Sequence, residues 1–153
     1  MQDSDINWNE VKDAPLLTFE GMEVKAKVTS VYDGDTIKCV FPMKDSNKLY
    51  KWNCRLSGVD TPELRTRNKN EKKYGYQVRD NLRGKILNKV VTLKCGKFDK
   101  YGRLLVEVSN YCEDDKCTIN DWLVNNKYAF KYDGGKKSSW EDFLQKEKDL
   151  ISN

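Results

Sequence analysis

Residues 24–41 read VKAKVTSVYDGDTIKCVF. Val24, Ala26 and Val28 alternate with Lys25, Lys27 and Thr29, which is the period-two pattern of a strand with one buried face. At Asp33-Gly34-Asp35 the alternation breaks on a turn signal, because glycine takes positive φ without steric cost and aspartate accepts local backbone hydrogen bonds. A second strand then runs from Thr36 to Phe41. The hairpin raises a question of function: the two aspartates either make only the turn or also supply half of an ion site. A turn needs no function, so an ion site requires partners further along the chain.

Outward from the hairpin, the polar run PMKDSNK at 42–48 makes the next turn. In a third strand over 49–57, Tyr50, Trp52, Cys54 and Leu56 share one face, which leaves Arg55 on the other. Gly58 weakens that strand and Pro62 ends regular pairing, so Asp60 and Glu63 are expected in a loop just beyond it. The basic run LRTRNKNEKK at 64–73 has no apolar period and reads as a mobile loop. Val78, Leu82 and Ile86 then mark an amphipathic helix from about Tyr74 to Leu87. Strands near Val90–Cys95 and Arg103–Ser109 follow, joined by GKFDKYG at 96–102. Thr118 caps a short helix with Ile119, Trp122 and Leu123 on one stripe. Ser139 opens a last helix through an S-x-x-D box, with Trp140, Phe143 and Leu144 buried. Three strands, a helix, two strands and two helices give the element order of a five-stranded OB-fold barrel with three helices, α+β and mainly β.

The chain has 153 residues, a single-domain size, and a net charge of +4. The first 23 residues set six acidic side chains against Lys12, a net −5, so the remainder carries +9. Residues 1–22 are therefore expected to form an acidic extension, docked through Trp8 and Leu16-Leu17, on a domain over 23–153. A basic body with aromatics among its cations points to a polyanionic partner, nucleic acid being the commonest, although a solvated basic surface carries the same charge. Histidine is absent, which excludes Ser-His and Cys-His nucleophile pairs and every His-containing zinc site. Of the five cysteines, Cys39, Cys54 and Cys95 sit in apolar strands and read as core. Cys112 and Cys117 bracket an acidic loop at a spacing open to a disulfide or to two metal ligands. No apolar run is long enough to span a membrane and the N-terminus is polar and acidic, so a monomer in a reducing, intracellular setting is expected.

Charged residues gather at strand ends and loops: Asp35, Arg55, the run 59–63, Lys100 and Arg103. If Asp35 and Asp60 converge, they form a hard oxygen site that the Thr61 carbonyl could complete, suited to Ca²⁺ or Mg²⁺. Phosphodiester hydrolysis then needs a group to orient water, for which Glu63 serves, and positive charge for the transition-state oxygens, for which Arg55 and Arg103 serve. Taken singly, each residue also has a plain structural reading as a surface strand Arg, an acidic helix lead or a hairpin turn.

Four blocks in order carry a resemblance: DGDTIK at 33–38, RLSGVDTPE at 55–63, KYG at 73–75 and DKYGR at 99–103. Together they resemble the staphylococcal nuclease-like (thermonuclease) family over about residues 24–140. The resemblance implies an OB-fold and a Ca²⁺-dependent endonuclease acting on DNA and RNA, with single strands preferred and 3′-phosphate ends left. It makes Asp35 and Asp60 the calcium carboxylates, Thr61 the carbonyl ligand, Glu63 the general base, and Arg55 and Arg103 the phosphate-binding arginines. Lys100, Tyr101 and Tyr132 match residues lining the nucleotide pocket, and Asp33 is left to the turn or to a supporting role. Phe130 stands where the family often has a pocket tyrosine, and the Asp-Gly-Gly after Tyr132 lacks the family's proline. A rival reading is a non-catalytic OB-fold module that binds single-stranded nucleic acid or a protein partner. Such a relic should have lost the charged site residues, and all of them are present.

Overall fold

The computed structural model describes residues 5–152 apart from Lys44 and Asp115. Residues 1–4 of the acidic segment, Lys44 of the 42–48 turn and Asp115 of the loop between Cys112 and Cys117 lie outside the described residues.

Strand β1 (Glu23–Val31) pairs antiparallel with β2 (Thr36–Pro42), and β2 pairs antiparallel with β3 (Leu49–Leu56). Next in the chain come a two-residue strand β4 (Val59–Asp60), helix α1 (Lys69–Ile86), β5 (Val90–Phe98) and β6 (Leu104–Ser109). β5 lies against both β1 and β6, and β6 closes the ring by pairing in parallel with β3. The result is a closed barrel in the order β1-β2-β3-β6-β5, an OB-fold of the α+β class. Helix α2 (Ile119–Asn125), the two-residue β7 (Phe130–Lys131) and α3 (Trp140–Ser152) complete the chain. β4 and β7 form a separate antiparallel pair, Val59 opposite Lys131 and Asp60 opposite Phe130. Two-residue strands are too short to leave a period in sequence, so the pattern places Asp60 in a loop where the structure has a strand end.

Alternation does its expected work in the barrel. Ala26, Val28, Ile37, Cys39, Leu93, Val106 and Val108 point inward and are buried. Fully burying a side chain of this size stabilises by roughly 1.5–3 kcal/mol relative to leaving it in water. Cys39, Cys54 and Cys95 are core thiols, as the apolar runs imply, while Cys112 and Cys117 are free rather than joined. Burial and the charge of Cys54 push the Cys95 thiol up to about 11, so that position is chemically quiet.

Two expectations are corrected. Helix α1 begins at Lys69, not near Tyr74, so half of the basic run is helical. The Asn68 side chain accepts from the Glu71 N–H at 2.8 Å, and this cap starts the helix where no apolar stripe signals one. The N-terminal segment does not dock through Trp8, Leu16 and Leu17, which are 62%, 93% and 70% exposed. Phe19 is the residue that enters the core, with its ring edge-on to Trp52 at 5.0 Å and to Phe41 at 6.4 Å.

Outside the barrel a second aromatic cluster joins the helices. Trp140, buried at the start of α3, meets Phe130 at 4.2 Å, Phe143 at 5.3 Å and Tyr74 of α1 at 5.7 Å. The Tyr74 hydroxyl donates to the Lys127 carbonyl at 2.7 Å. Thr118 caps α2 by accepting from the Asp121 N–H, and Ser139 accepts from the Asp142 N–H at the head of α3.

Candidate active site

One end of the barrel buries charge. Asp35 and Arg55 are each 9% exposed, Asp60 3% and Thr61 2%. Charged groups at such depth are tolerated only with partners, and their partners define the site.

Asp35 closes the β1–β2 turn. Asp33 Oδ1 accepts from the N–H groups of Asp35 (3.1 Å) and Thr36 (2.9 Å), so Asp33 builds the turn that aims Asp35. Gly34 is not in the left-handed region, so its role is space rather than φ. A Cβ there would lie 2.7 Å from Thr61 Cβ and 2.8 Å from Thr61 Oγ1. The absent side chain lets the Asp35 turn rest directly on the Asp60-Thr61 segment. Sequence spacing alone leaves that contact open.

Arg55 lies on the face opposite the barrel core, as strand parity requires, yet it is buried because the following chain folds over it. Its Nη1 donates to the Leu56 carbonyl at 2.7 Å, and its Nη2 donates to the Val59 carbonyl at 2.8 Å and faces Asp35 Oδ2 at 3.4 Å. One guanidinium therefore holds the loop that carries Asp60 against the strand that carries Asp35. Asn120 of α2 braces the same corner: its Nδ2 donates to the Ser57 carbonyl (2.8 Å) and the Val106 carbonyl (3.1 Å), while its Oδ1 accepts from the Val108 N–H (3.1 Å). Nothing in the sequence motifs singles Asn120 out.

Glu63 is exposed beyond Pro62, and its position is set from behind. Glu71 Oε2 accepts from the Glu63 N–H at 2.8 Å, so the residue that helps to cap α1 also fixes the site loop. Gly75, in the KYG block, lets α1 pass against that loop. A Cβ on Gly75 would meet Leu64 Cδ2 at 2.9 Å and the Glu63 and Pro62 carbonyls at 3.1 Å.

The carboxylates influence one another. Partial loss of water around a carboxyl that is still 52% exposed, and then the charge of Asp35, raise Glu63 above its usual value; burial also raises Asp60, and the Asp35 charge adds to this. Asp33 is pushed up to about 7 by burial and by Asp35. Against this stands Lys137, whose ammonium lies 3.6 Å from Asp60 Oδ1 and 3.8 Å from Glu63 Oε1. Among the described residues no group of three Asp, Glu, Cys or His side chains forms a ready ion cage. The donors on offer at this end of the barrel are oxygens, the carboxylates of the buried Asp35 and Asp60 and the backbone carbonyl of the buried Thr61, and the Lys137 ammonium already faces the Asp60 carboxylate. Such a donor set fits a hard divalent cation rather than a soft one.

Arg103 lies at the head of β6. Its Nε donates to Asp99 Oδ2 at 2.8 Å, and its Nη1 lies 3.4 Å from Thr36 Oγ1. Asp99 Oδ1 also accepts from the N–H groups of Tyr101 and Arg103, both at 2.9 Å. Burial works to raise the Asp99 carboxyl, but these hydrogen bonds prevail and hold it below its usual range. Arg55, Arg103, Lys100, Tyr101, Tyr132 and Lys137 line a cleft of about 530 Å³. Tyr101 is 72% exposed at its rim, with Lys100 Nζ and Arg103 Cζ 5.2 and 5.4 Å from the ring centre. Tyr132 sits deeper, 5.9 Å from Arg55 and 5.5 Å from Lys137, and its N–H donates to the Gly58 carbonyl at 2.9 Å. Phe130, expected near the pocket, turns instead into the aromatic cluster with Trp140 and Phe143.

A family model described as "Staphylococcal nuclease homologue" matches residues 53–149. An uncharacterized protein of Methanocaldococcus jannaschii is 29% identical over 147 residues, covering 83% of this chain and 68% of the relative. An Escherichia coli protein named "Uncharacterized endonuclease" is 30% identical over 111 residues, covering 72% of this chain and 63% of its own length. A Yarrowia lipolytica protein named "Probable endonuclease LCL3" is 25% identical over 141 residues, covering 80% and 62%. The matches thus span less than two thirds of the two relatives named as endonucleases.

Proposed function

This chain belongs to the family of staphylococcal nuclease homologues, and from that membership we propose that it is a Ca²⁺-dependent endonuclease. It hydrolyses phosphodiester bonds in DNA and RNA, prefers single strands and leaves 3′-phosphate ends. The observation that carries the reading is the buried arrangement in which Arg55 bridges Asp35 and the Asp60 loop beside a cleft lined by basic and aromatic residues. A structural ion pair alone would not need a second arginine and two tyrosines around the same opening, with the Glu63 carboxylate exposed on the neighbouring hollow.

Asp35 and Asp60, through their carboxylates, and Thr61, through its carbonyl, would hold a Ca²⁺ ion, which would supply Lewis-acid charge for the scissile phosphate. Glu63 orients a water molecule and takes its proton. The guanidinium groups of Arg55 and Arg103 bind the phosphate oxygens that gain charge as water adds in line. Asp99 holds the Arg103 head in that direction. Lys100, Tyr101 and Tyr132 receive the neighbouring nucleotide, where an aromatic face stacks on a base of any identity. As the bond to the 5′ oxygen breaks, that oxygen takes a proton from water and leaves as a hydroxyl, and the phosphate stays on the 3′ side. The exposed basic residues of 65–73 steer the strand by charge, an effect that salt suppresses.

The test is cleavage of matched single-stranded DNA, duplex DNA and RNA in Ca²⁺, Mg²⁺ or chelator, with Glu63→Gln as the control. The expected result is Ca²⁺-dependent cutting, strongest on single strands, with turnover lower by about 10²–10⁴-fold in the variant while oligonucleotide binding persists. Unchanged turnover in Glu63→Gln would remove Glu63 from its role. Binding without cutting in any metal would make the protein a nucleic-acid-binding barrel.

A further inference from the structure

Lys137 is outside every strand and helix, in the segment between β7 and α3, and the family motifs give it no role. Its position is nonetheless well defined. The ammonium faces Asp60 Oδ1 at 3.6 Å and Glu63 Oε1 at 3.8 Å, and it lies 5.5 Å from the centre of the Tyr132 ring. Its side chain is 47% exposed while that of Asp60 is 4% exposed, so a half-exposed cation rests at the mouth of a buried carboxylate. Lys137 also borders three openings, among them the cleft that holds Arg55, Tyr101 and Arg103 and a neighbouring hollow of about 380 Å³ against Glu63, Arg67 and Glu71. No other lysine or arginine makes an ion pair with both Asp60 and Glu63 among the described residues.

A monovalent ammonium and a divalent ion cannot share these carboxylates at contact distance, because they compete for the same oxygens and repel each other. From this geometry we propose that Lys137 is a built-in counter-cation for Asp60 and Glu63. A divalent ion must displace it, and the freed ammonium then turns into the cleft onto the substrate phosphate. The proposal rests on the ion-dependent reading above and adds a switch to it. Lys137 lowers the affinity of the empty site for the ion, because only molecules with Lys137 turned away can bind it. It returns that cost when a phosphate is present, so ion and nucleic acid favour each other's binding. A long, flexible lysine suits this exchange, since rotation about its stem moves the charge without moving the backbone.

The experiment is calorimetric titration of the full chain with Ca²⁺ alone, for wild type, Lys137→Met and Lys136→Met. The last variant removes the same charge from the adjacent position. A second titration in Ca²⁺ uses a short phosphorothioate single strand that resists cleavage. The expected result is that Lys137→Met binds Ca²⁺ about tenfold more tightly than Lys136→Met and binds the oligonucleotide about tenfold more weakly. Equal or weaker Ca²⁺ binding by Lys137→Met, or unchanged oligonucleotide binding, would overturn the exchange while leaving the ion-dependent enzyme intact. Absence of Ca²⁺ binding in all three proteins would overturn both. Lys137→Gln, which keeps a polar end without the charge, should behave as Lys137→Met does.

Discussion

Helix α1 contains two glycines whose replacement by alanine should move stability in opposite directions. Gly84 is exposed and a Cβ there meets nothing within 4 Å, so alanine adds only helix propensity. That gain is about 1 kcal/mol. Gly75 receives the same gain, but its Cβ would stand 3.1 Å from the carbonyls of Pro62 and Glu63 and 2.9 Å from Leu64 Cδ2. Leu64 can turn its methyl aside, whereas the two carbonyls move only if the site loop moves. Overpacking of this kind costs about 1–3 kcal/mol, so Gly75→Ala should fall between neutral and about 2 kcal/mol destabilised. The two variants should therefore differ by about 1–3 kcal/mol in urea unfolding, although the chemical change is identical. Activity should separate them further. A shift of a few tenths of an ångström at Glu63 should lower turnover about tenfold in Gly75→Ala, given that misplacement by 1 Å costs about 10²-fold. Gly84→Ala should cut at the wild-type rate. If Gly75→Ala proved as stabilised and as active as Gly84→Ala, the close passage of α1 behind the Glu63 loop would be refuted, and with it the physical account of the KYG block.

Asp99→Asn keeps an acceptor for the Tyr101 and Arg103 N–H groups but removes the carboxylate that holds the Arg103 Nε. It should leave the turn intact, weaken substrate binding several-fold and flatten the acid limb of stability. The sign follows from the lowered carboxyl: Asp99 stabilises the fold above its unfolded value near 4, and that contribution is lost as pH falls through the folded one. Urea unfolding between pH 2 and 6 would show this, and an unchanged pH profile would contradict it. Asn120→Ala leaves the Val108 N–H and the Ser57 carbonyl short of a partner inside the protein, which should cost about 3 kcal/mol. A loss below about 1 kcal/mol would mean that water or a backbone shift replaces those bonds.

What was legible in the sequence was whatever repeats. The β1–β2 hairpin, the five barrel strands and the Val78, Leu82, Ile86 stripe each leave a period, and the barrel followed from their order. The head of α1 was not legible as a helix because its first turn faces outward and carries no apolar stripe, although the Asn68-x-x-Glu71 pattern was a cap signal. Charged site residues were found by type and motif, but their contacts were not. Parity put Arg55 off the core face without revealing that residues 56–59 bury it. Gly34 was read for its φ, and its actual use is contact with Thr61. No motif or period singles out Lys137, and only the fold sets it against Asp60 and Glu63. Asn120 and Glu71 act by bracing others, and no motif marks such a task.

The parallel seam between β3 and β6 has a consequence for how the chain matures. It sets Arg55 beside Leu105 and Leu56 beside Val106, partners from distant parts of the sequence, whereas the other barrel seams are antiparallel. Closing so long a loop carries an entropic cost that is recovered only when the partners meet, so this seam is expected to form late, together with the β1–β5 seam, whose partners lie further apart still. Asp35 and Arg55 can come together in the early hairpins, but Arg103 joins them only when the ring shuts. A chain still emerging from the ribosome, or one cut between β3 and β6, would carry the motifs without the assembled site. Activity would then serve as a reporter of completed folding, and two fragments divided in the connection between α1 and β5 could be used as a complementation sensor.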